Sequence, residues 1–323
     1  MRIVTVTEPG GPENLTIAEV PRPVAAPGEV LIRVRAAGVN RADLLQRQGF
    51  YPPPPGASEV IGLEVSGLIE SVGDGVTGAR VGDKCVAILA GGGYAEFVNV
   101  PAGQVIAPPD GLDLVSAAGL IEVAATVVSN FDHVHLGSGE TVLIHGGAGG
   151  IGTFAIQYAK ALGATVIVTA GTADKLDLCR ALGADVALNY HDDWAAGVAE
   201  ATSGNGVDVI LDVIGAKYLE ANVAALGMDG RLVVIGLQGG RKGTLDLNRL
   251  LTKRALVTAT SLRGRPTEQK AAICTAVAER VWPLIESGQI KPVPETRFRF
   301  DQVADAHRHL ETGDHVGKVI LTL

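Results

Sequence analysis

Thr141–Gly163 reads TVLIHGGAGGIGTFAIQYAKALG, and the reading of this stretch decides the fold. Val142, Leu143 and Ile144 form a continuous apolar run, the pattern of a buried strand. The run leads into Gly147-x-Gly149-x-x-Gly152. Beyond it, Ile151, Phe154, Ala155, Tyr158, Ala159 and Leu162 are spaced as one buried face of a helix. Strand, glycine turn and helix in that order make a dinucleotide-phosphate site of a motif that is weak alone. Glycine allows the tight turn and a close approach of backbone to a pyrophosphate. The helix that begins at Gly150 and Ile151 offers unpaired N–H groups and a favourable dipole to the phosphates. With 42 glycines in 323 residues, the competing reading is a glycine-rich turn that binds nothing.

Outward from this turn, strand and helix alternate. Strands are predicted at Thr165–Thr169, Val186–Leu188, Val207–Asp212, Arg231–Ile235 and Ala255–Thr260. Helices are predicted near Ala173–Leu182, Asp192–Thr202 and Lys217–Ala225. The alternation implies a doubly wound parallel sheet with helices on both faces, an α/β Rossmann domain. The first third reads differently. Short strands are predicted at Met1–Val6, Leu15–Val20, Glu29–Ala37, Ser66–Val72, Lys84–Ile88 and Ala95–Pro101, separated by turn signals such as Pro9-Gly10-Gly11-Pro12 and Pro52–Gly56. That pattern is antiparallel and barrel-like. In the tail, a long helix is predicted over Thr267–Ile285, with Pro283 near its end. A strand is predicted at Thr296–Phe300, a helix from an Asp301 N-cap to Glu311, and a strand at Lys318–Leu323. The expected organisation is an outer domain in two pieces, 1–118 and 261–323, around a nucleotide-binding domain at 119–260.

Bulk properties exclude several classes. A formal net charge of −8 argues against a nucleic-acid binder. The N-terminal MRIVTVTEPGG has no sustained apolar run, so no signal peptide is expected, and no apolar stretch is read as long enough to span a bilayer. Cys85, Cys179 and Cys274 are widely spaced and odd in number, which fits packed thiols in the cytoplasm rather than a disulfide frame.

The choice between NAD and NADP is made after the second strand, where NAD binders place an acidic residue about 20 residues beyond the turn. Here the chain reads Thr169-Ala170-Gly171-Thr172-Ala173-Asp174-Lys175, with no carboxylate directly after the strand. Small residues leave room, and Lys175 suits a 2′-phosphate, although a solvated helix lysine is the plainer alternative. Tyr190, after the third strand, is placed to pack or bond near the same phosphate. NADPH is therefore the expected cofactor.

With these residues in hand, the whole chain resembles the zinc-independent quinone oxidoreductases of the medium-chain dehydrogenase/reductase superfamily, most of all the branch of the stress-inducible quinone oxidoreductases and, more distantly, the zeta-crystallins. Asn40-Arg41-Ala42-Asp43-Leu44-Leu45-Gln46-Arg47-Gln48-Gly49-Phe50-Tyr51-Pro52 resembles that family's N-x-x-D-x-x-x-R-x-G-x-Y-P pattern. Gly62–Gly67, Gly171–Lys175, Asn189-Tyr190, Ser261-Leu262-Arg263-Gly264-Arg265 and Gly317-Lys318-Val319 match further family positions. The resemblance implies a GroES-like β-barrel for the outer domain. It implies cofactor contacts from Tyr51, Thr126, Gly147, Gly149, Gly150, Ile151, Gly152, Gly171, Thr172, Lys175, Tyr190, Gly236, Leu237, Ser261, Leu262, Arg263 and Lys318. It also implies a homodimer joined through the Ala255–Thr260 edge.

Zinc-dependent relatives carry Cys where Asn40 stands and His where Leu63 stands, and neither replacement suits a tetrahedral zinc site. The pairs His133-x-His135 and His307-x-His309 are given no metal role, because ligands normally come in threes or fours. Without a Lewis acid, reduction of a conjugated acceptor is the easier chemistry, since a quinone or enone spreads the incoming charge over its own π-system. The enzyme has mainly to hold the acceptor and exclude water, and the cleft between the domains is the expected place. Tyr51, Asn40 and Asp43 are the catalytic candidates. Tyr51 is either a donor or a packing residue of the Pro52–Pro55 turn, and Asp43 either faces the site or braces the Asn40 loop through Arg47. The function expected is NADPH-dependent reduction of quinones. The alternatives are a 2-alkenal or enoyl-thioester reductase, and an NADPH-binding protein without significant turnover.

Overall fold

The computed structural model describes residues 1–323. From the N-terminus run β1 (Arg2–Val6), β2 (Leu15–Glu19), β3 (Glu29–Val39), α1 (Arg41–Arg47), β4 (Glu64–Val72), β5 (Lys84–Ile88), β6 (Phe97–Pro101), β7 (Val105–Ile106) and α2 (Leu114–Ala117). There follow α3 (Ile121–His133), β8 (Thr141–His145), α4 (Gly150–Ala161), β9 (Thr165–Ala170), α5 (Ala173–Ala181), β10 (Val186–Asn189), α6 (Trp194–Ala201) and β11 (Val207–Asp212). Then come α7 (Leu219–Ala225), β12 (Leu226–Val234), α8 (Leu247–Lys253) and β13 (Leu256–Ala259). The tail is α9 (Thr267–Arg280), α10 (Trp282–Glu286), β14 (Glu295–Arg299), α11 (Val303–Thr312) and β15 (Lys318–Thr322). The chain divides into one unit of Met1–Ala125, Leu262–Gly288 and Pro292–Leu323, and a second of Thr126–Ser261 with Gln289–Lys291. The first boundary falls inside α3 rather than ahead of it.

In the second unit the sheet order is β10-β9-β8-β11-β12-β13, and every pair is parallel. This is the 3-2-1-4-5-6 order of a dinucleotide-binding fold, with β8 as first strand. Val142, Leu143, Ile144, Val166, Val168, Val209, Ile210 and Leu211 are buried, which is why these strands read as unbroken apolar runs. Leu143, Ile167, Ile210 and Leu232 pack with Trp194, Val198 and Val223 on one face. The glycines of the turn are there for space. A Cβ on Gly147 would meet Sγ of Cys179 at 2.9 Å and Cβ of Val168 at 3.0 Å. One on Gly152 would meet Cα of Gly147 at 2.6 Å, so α4 lies against the turn after β8 only because residue 152 is glycine.

The first unit is antiparallel around the long strand β3, which pairs with β4, β6 and β15; β14 adds to β15 in parallel. Its core is built from Val30, Ile32, Val34, Val65, Ile69, Val98, Val100, Val319 and Leu321, closed by Leu44 of α1 and by Val303, Ala306 and Leu310 of α11. β-Branched and aliphatic side chains carry it, as the scarcity of aromatics requires.

Three expectations fail locally. Asp301 is not an N-cap: its carboxylate pairs with Arg299 at 3.0 Å, the chain makes a single 3-10 turn over Phe300–Gln302, and α11 starts at Val303. The long tail helix is two helices, broken at Val281, since Pro283 supplies no backbone donor to continue the ladder. The helical stretch Leu114–His133 is, by length and composition, apolar enough to cross a membrane, with mean hydropathy 1.6 over a window 72% buried within the protein. Such burial is what a core helix of a folded domain shows as well.

Candidate functional site

Most of the residues expected to hold a dinucleotide lie at the carboxyl ends of the parallel strands, where ligands bind in open α/β sheets. Gly147–Gly152 follows β8, Gly171–Lys175 follows β9, Tyr190 follows β10, Gly236 and Leu237 follow β12, and Ser261 follows β13. Gly149 is the N-cap of α4, with φ −78° and no side chain to satisfy the first turn. The nearest atom to a Cβ placed there is the Gly146 carbonyl oxygen at 3.6 Å, so the turn is open on that side. The first N–H groups of α4 lack intrahelical acceptors and are the donors an anion would take.

The end of β9 is shaped by Tyr190 and Gly171. A Cβ on Gly171 would meet Cζ of Tyr190 at 2.6 Å, so the phenol lies directly over this glycine. Thr172 caps α5, its Oγ1 accepting from the Lys175 N–H at 3.4 Å, which sets Lys175 in the first turn of that helix. Gly171, Thr172, Lys175 and Tyr190 thus stand together, with no carboxylate closing the strand. Gly236 is held against the loop after β11, where a Cβ would lie 2.7 Å from the Val213 carbonyl oxygen; Leu237 beside it is exposed. Thr126 is buried in α3, and its carbonyl accepts from the side chain of Asn130 at 2.7 Å. The Asn130 Oδ1 accepts in turn from Thr260 Oγ1 at 2.6 Å, tying α3 to the end of β13.

Two buried polar residues of this unit escaped the sequence. His145 ends β8; its ring bonds Thr169 Oγ1 at 3.0 Å and Asn222 Oδ1 at 2.7 Å, and burial lowers its pKa to about 4, so it is a neutral strut beneath the glycine turn. Asp212 ends β11 and accepts from the N–H groups of Ile214 and Gly215, while burial pushes its carboxyl up to about 6. The only sequence signal for either was a polar residue closing an apolar strand.

In the first unit, Asn40 precedes α1. Its backbone N–H donates to Asp43 Oδ2 at 2.7 Å. The Asn40 side chain donates from Nδ2 to Glu64 Oε1 at 3.0 Å and accepts at Oδ1 from Lys318 Nζ at 2.7 Å. Asp43 is fully buried and also accepts from the Tyr94 hydroxyl at 3.1 Å, while its Oδ1 has no partner. Burial pushes its carboxyl up to about 7, against the opposing hydrogen bonds from Asn40 and Tyr94.

Behind Asp43 the chain of contacts continues. Tyr94 Oη lies 3.3 Å from His307 Nε2, and His307 Nδ1 lies 3.4 Å from Arg47 Nη1. Arginine only donates, so Nδ1 of His307 accepts and its proton sits on Nε2. Asp43 therefore braces the Asn40 loop directly. Arg47, the expected intermediary, is bonded instead to the Gly10 carbonyl, His307 and Glu311.

Tyr51 is partly buried, with the Arg263 guanidinium 5.1 Å from its ring centroid. That guanidinium is itself buried and donates to the carbonyls of Ala90 and Tyr51 and to Gln46 Oε1, at 2.7, 3.2 and 2.8 Å. Arg263 thus fixes the Tyr51 loop, and Lys318 bonds within the Glu64–Asn40 cluster. Leu262 is partly buried beside Arg263.

The histidine pairs have separate roles. His133 Nε2 meets Thr258 Oγ1 at 2.9 Å, His307 lies in the Asp43 network, and His309 lies tilted against Phe298 with ring centroids 5.6 Å apart. Cys85, Cys179 and Cys274 are buried and unpaired.

Residues 150–277 match the family model described as zinc-binding dehydrogenase, and residues 26–110 that of the alcohol dehydrogenase GroES-like domain. A quinone oxidoreductase of Pseudomonas aeruginosa is 33% identical over 97% of this chain and 96% of its own. The crystal structure of Escherichia coli quinone oxidoreductase complexed with NADPH superposes with a TM-score of 0.91 at 30% identity, covering 100% of both chains. The JamJ enoyl reductase superposes with a TM-score of 0.90 at 25% identity, covering 99% of this chain and 98% of the other.

Proposed function

This chain belongs to the quinone oxidoreductases of the medium-chain dehydrogenase/reductase superfamily, and we propose that it reduces quinones with NADPH without the aid of a metal. The observation that carries the cofactor is the end of β9, where Gly171, Thr172, Tyr190 and Lys175 stand together, no carboxylate closes the strand, and the lysine charge suits a 2′-phosphate. The pyrophosphate would be held by the first turn of α4, against the open side of Gly149. NADPH supplies a hydride when bound. The chain's task is to orient the acceptor, exclude water and stabilise charge on the acceptor oxygen.

Metal independence is argued from the donor set. Asn40 stands where zinc relatives have a thiolate, and its amide is engaged by Glu64 and Lys318. Leu63 stands in place of an imidazole and has no ligand atom. The Lys318 ammonium, bonded to both Asn40 and Glu64, puts a positive charge beside this loop, which disfavours a divalent cation there. The zinc-binding dehydrogenase model matched at 150–277 covers none of these residues.

A homodimer in the cytoplasm completes the proposal. β13 is the edge of the parallel sheet, and Leu247, Leu251 and Leu256 are exposed on or beside it, a surface a second copy would cover. The buried free thiols suit a reducing compartment.

The enoyl reductase relative favours one second reading, reduction of a conjugated double bond. A single assay separates the two and also the reading of an NADPH-binding protein without turnover. NADPH oxidation is followed with 1,4-benzoquinone, a 2-alkenal and crotonyl-CoA. Turnover fastest with the quinone supports the proposal. Preference for crotonyl-CoA or the alkenal replaces it with the second reading, and tight NADPH binding without any turnover removes the enzyme.

A further inference from the structure

Lys318 and Glu64 form an ion pair in the first unit at 2.7 Å, with only 4% and 0% of their side chains exposed. Room is made for it. A Cβ on Gly38 of β3 would lie 2.6 Å from Cδ of Glu64, and one on Gly119 would lie 3.1 Å from Cε of Lys318. The second oxygen of Glu64 accepts from the Glu122 N–H at 3.0 Å, at the start of α3, where a helix favours negative charge. A buried ion pair rarely stabilises a fold better than apolar residues of similar size would. Its value here lies in what it touches.

Both members bond the side-chain amide of Asn40. An ammonium only donates and a carboxylate only accepts, so Lys318 must take Oδ1 and Glu64 must take Nδ2. The amide is left a single orientation. Its backbone is fixed as well, by the bond from the Asn40 N–H to Asp43. One N–H of Nδ2 is spent on Glu64. The other makes no hydrogen bond within the protein, although Asn40 is only half-buried.

We infer that Lys318 and Glu64 are positioning residues that clamp the Asn40 amide and present its second N–H as a hydrogen-bond donor to the carbonyl oxygen of the acceptor. This rests on the quinone reductase reading. When a quinone takes up a hydride, the electron pair ends on its oxygen, and a proton from solvent completes the hydroquinone. A preset donor at that oxygen is worth more in the transition state than in the ground state. The clamp also replaces a role for Lys318 as a cofactor ligand.

The test is a double-mutant cycle on the full-length protein, with melting curves to establish folding. Lys318→Met with Glu64→Gln removes both charges together, avoiding an unpaired buried ion. In this background kcat with 1,4-benzoquinone should fall about tenfold or more, while NADPH affinity by fluorescence titration changes less than about twofold. Asn40→Ala should cost about 10–100-fold in the native background but less than about threefold once the clamp is gone, because the two act as one unit.

Additive losses overturn the inference, as does a tenfold weakening of NADPH binding with kcat unchanged. If the double variant does not fold, Gly119→Ala serves instead, since it presses on the Lys318 stem without removing charge. It should lower kcat and leave NADPH affinity alone; an unchanged kcat refutes the clamp. A wild-type protein active only on a 2-alkenal would end the quinone reading, and the same cycle is then read on the alkenal oxygen. A protein inactive on every acceptor ends both.

Discussion

Alanine at Gly152 and alanine at Gly149 should do different damage, although both sit in one turn. A Cβ on Gly152 would lie 2.6 Å from Cα and 2.7 Å from the carbonyl carbon of Gly147. Both atoms are backbone, so no rotamer change relieves the clash, and the turn has to open. Overpacking of this kind costs about 1–3 kcal/mol, of which the better helix propensity of alanine returns up to ~1 kcal/mol. The net loss of ~1–2 kcal/mol corresponds to a fall in Tm of roughly 2–8 °C for a unit of this size.

At Gly149 the nearest atom is 3.6 Å away and φ is −78°, a conformation open to any residue. Alanine is a poorer N-cap than glycine, so stability should fall by about 0.5–1 kcal/mol, less than at Gly152. The methyl group would instead stand where a pyrophosphate must approach the first turn of α4. NADPH affinity should fall at least tenfold, or about 1.4 kcal/mol. Thermal melting of the free protein and fluorescence titration with NADPH separate the two effects. A Gly149→Ala protein that binds NADPH normally, or that melts as early as Gly152→Ala, would refute this account of the turn.

Lys175→Ala should erase a preference for NADPH over NADH of at least tenfold, about 1.4 kcal/mol; an unchanged preference in paired titrations would acquit Lys175. Val257→Pro, which removes a ladder donor from the edge strand β13, should convert a dimer to monomer by light scattering at micromolar concentration, and an undisturbed dimer would move the interface elsewhere. Tyr51→Phe should lower kcat with 1,4-benzoquinone less than about tenfold, because a reduced quinone takes protons from solvent, whereas a general acid is worth about 10²–10⁴-fold; a loss of three decades with normal NADPH affinity would favour an enone substrate. Asp43→Asn tests the buried carboxyl. Its folded pKa, raised from 3.8 to about 7, means that the native state holds the proton longer, so wild-type stability drains away as pH rises through this interval and is retained below it. Asp43→Asn should therefore gain in Tm relative to wild type between pH 4 and pH 7, and a difference independent of pH would show that Asp43 titrates elsewhere.

The parallel sheet was legible because its signals are local. Val142–Ile144, the glycines after them and the face of α4 lie within one stretch, and the predicted strands at Thr165, Val186, Val207 and Ala255 fall on observed ones to within a residue or two. Errors arose where a local rule met a competitor. Asp301 has the chemistry of an N-cap, but Arg299 two residues earlier takes its carboxylate. Arg231–Ile235 caught only the regular end of β12, because Gly227 and Gly230 interrupt the alternation in its first half.

The polar networks were beyond local reading altogether. Asp43 meets a tyrosine 51 positions away, which meets a histidine 213 positions further on. Lys318 reaches Asn40 and Glu64 across 278 and 254 positions. Resemblance alone pointed Lys318 toward the cofactor; burial of its ammonium demands a carboxylate, and the fold supplies Glu64. One faint trace of that arrangement does stand in the sequence. Gly38 falls within the buried small-residue end of β3, Ala36–Val39, and a glycine inside a strand marks a place where something else must come close. What comes close is Glu64, the residue that turns Asn40 from a loop polar group into an amide with one orientation.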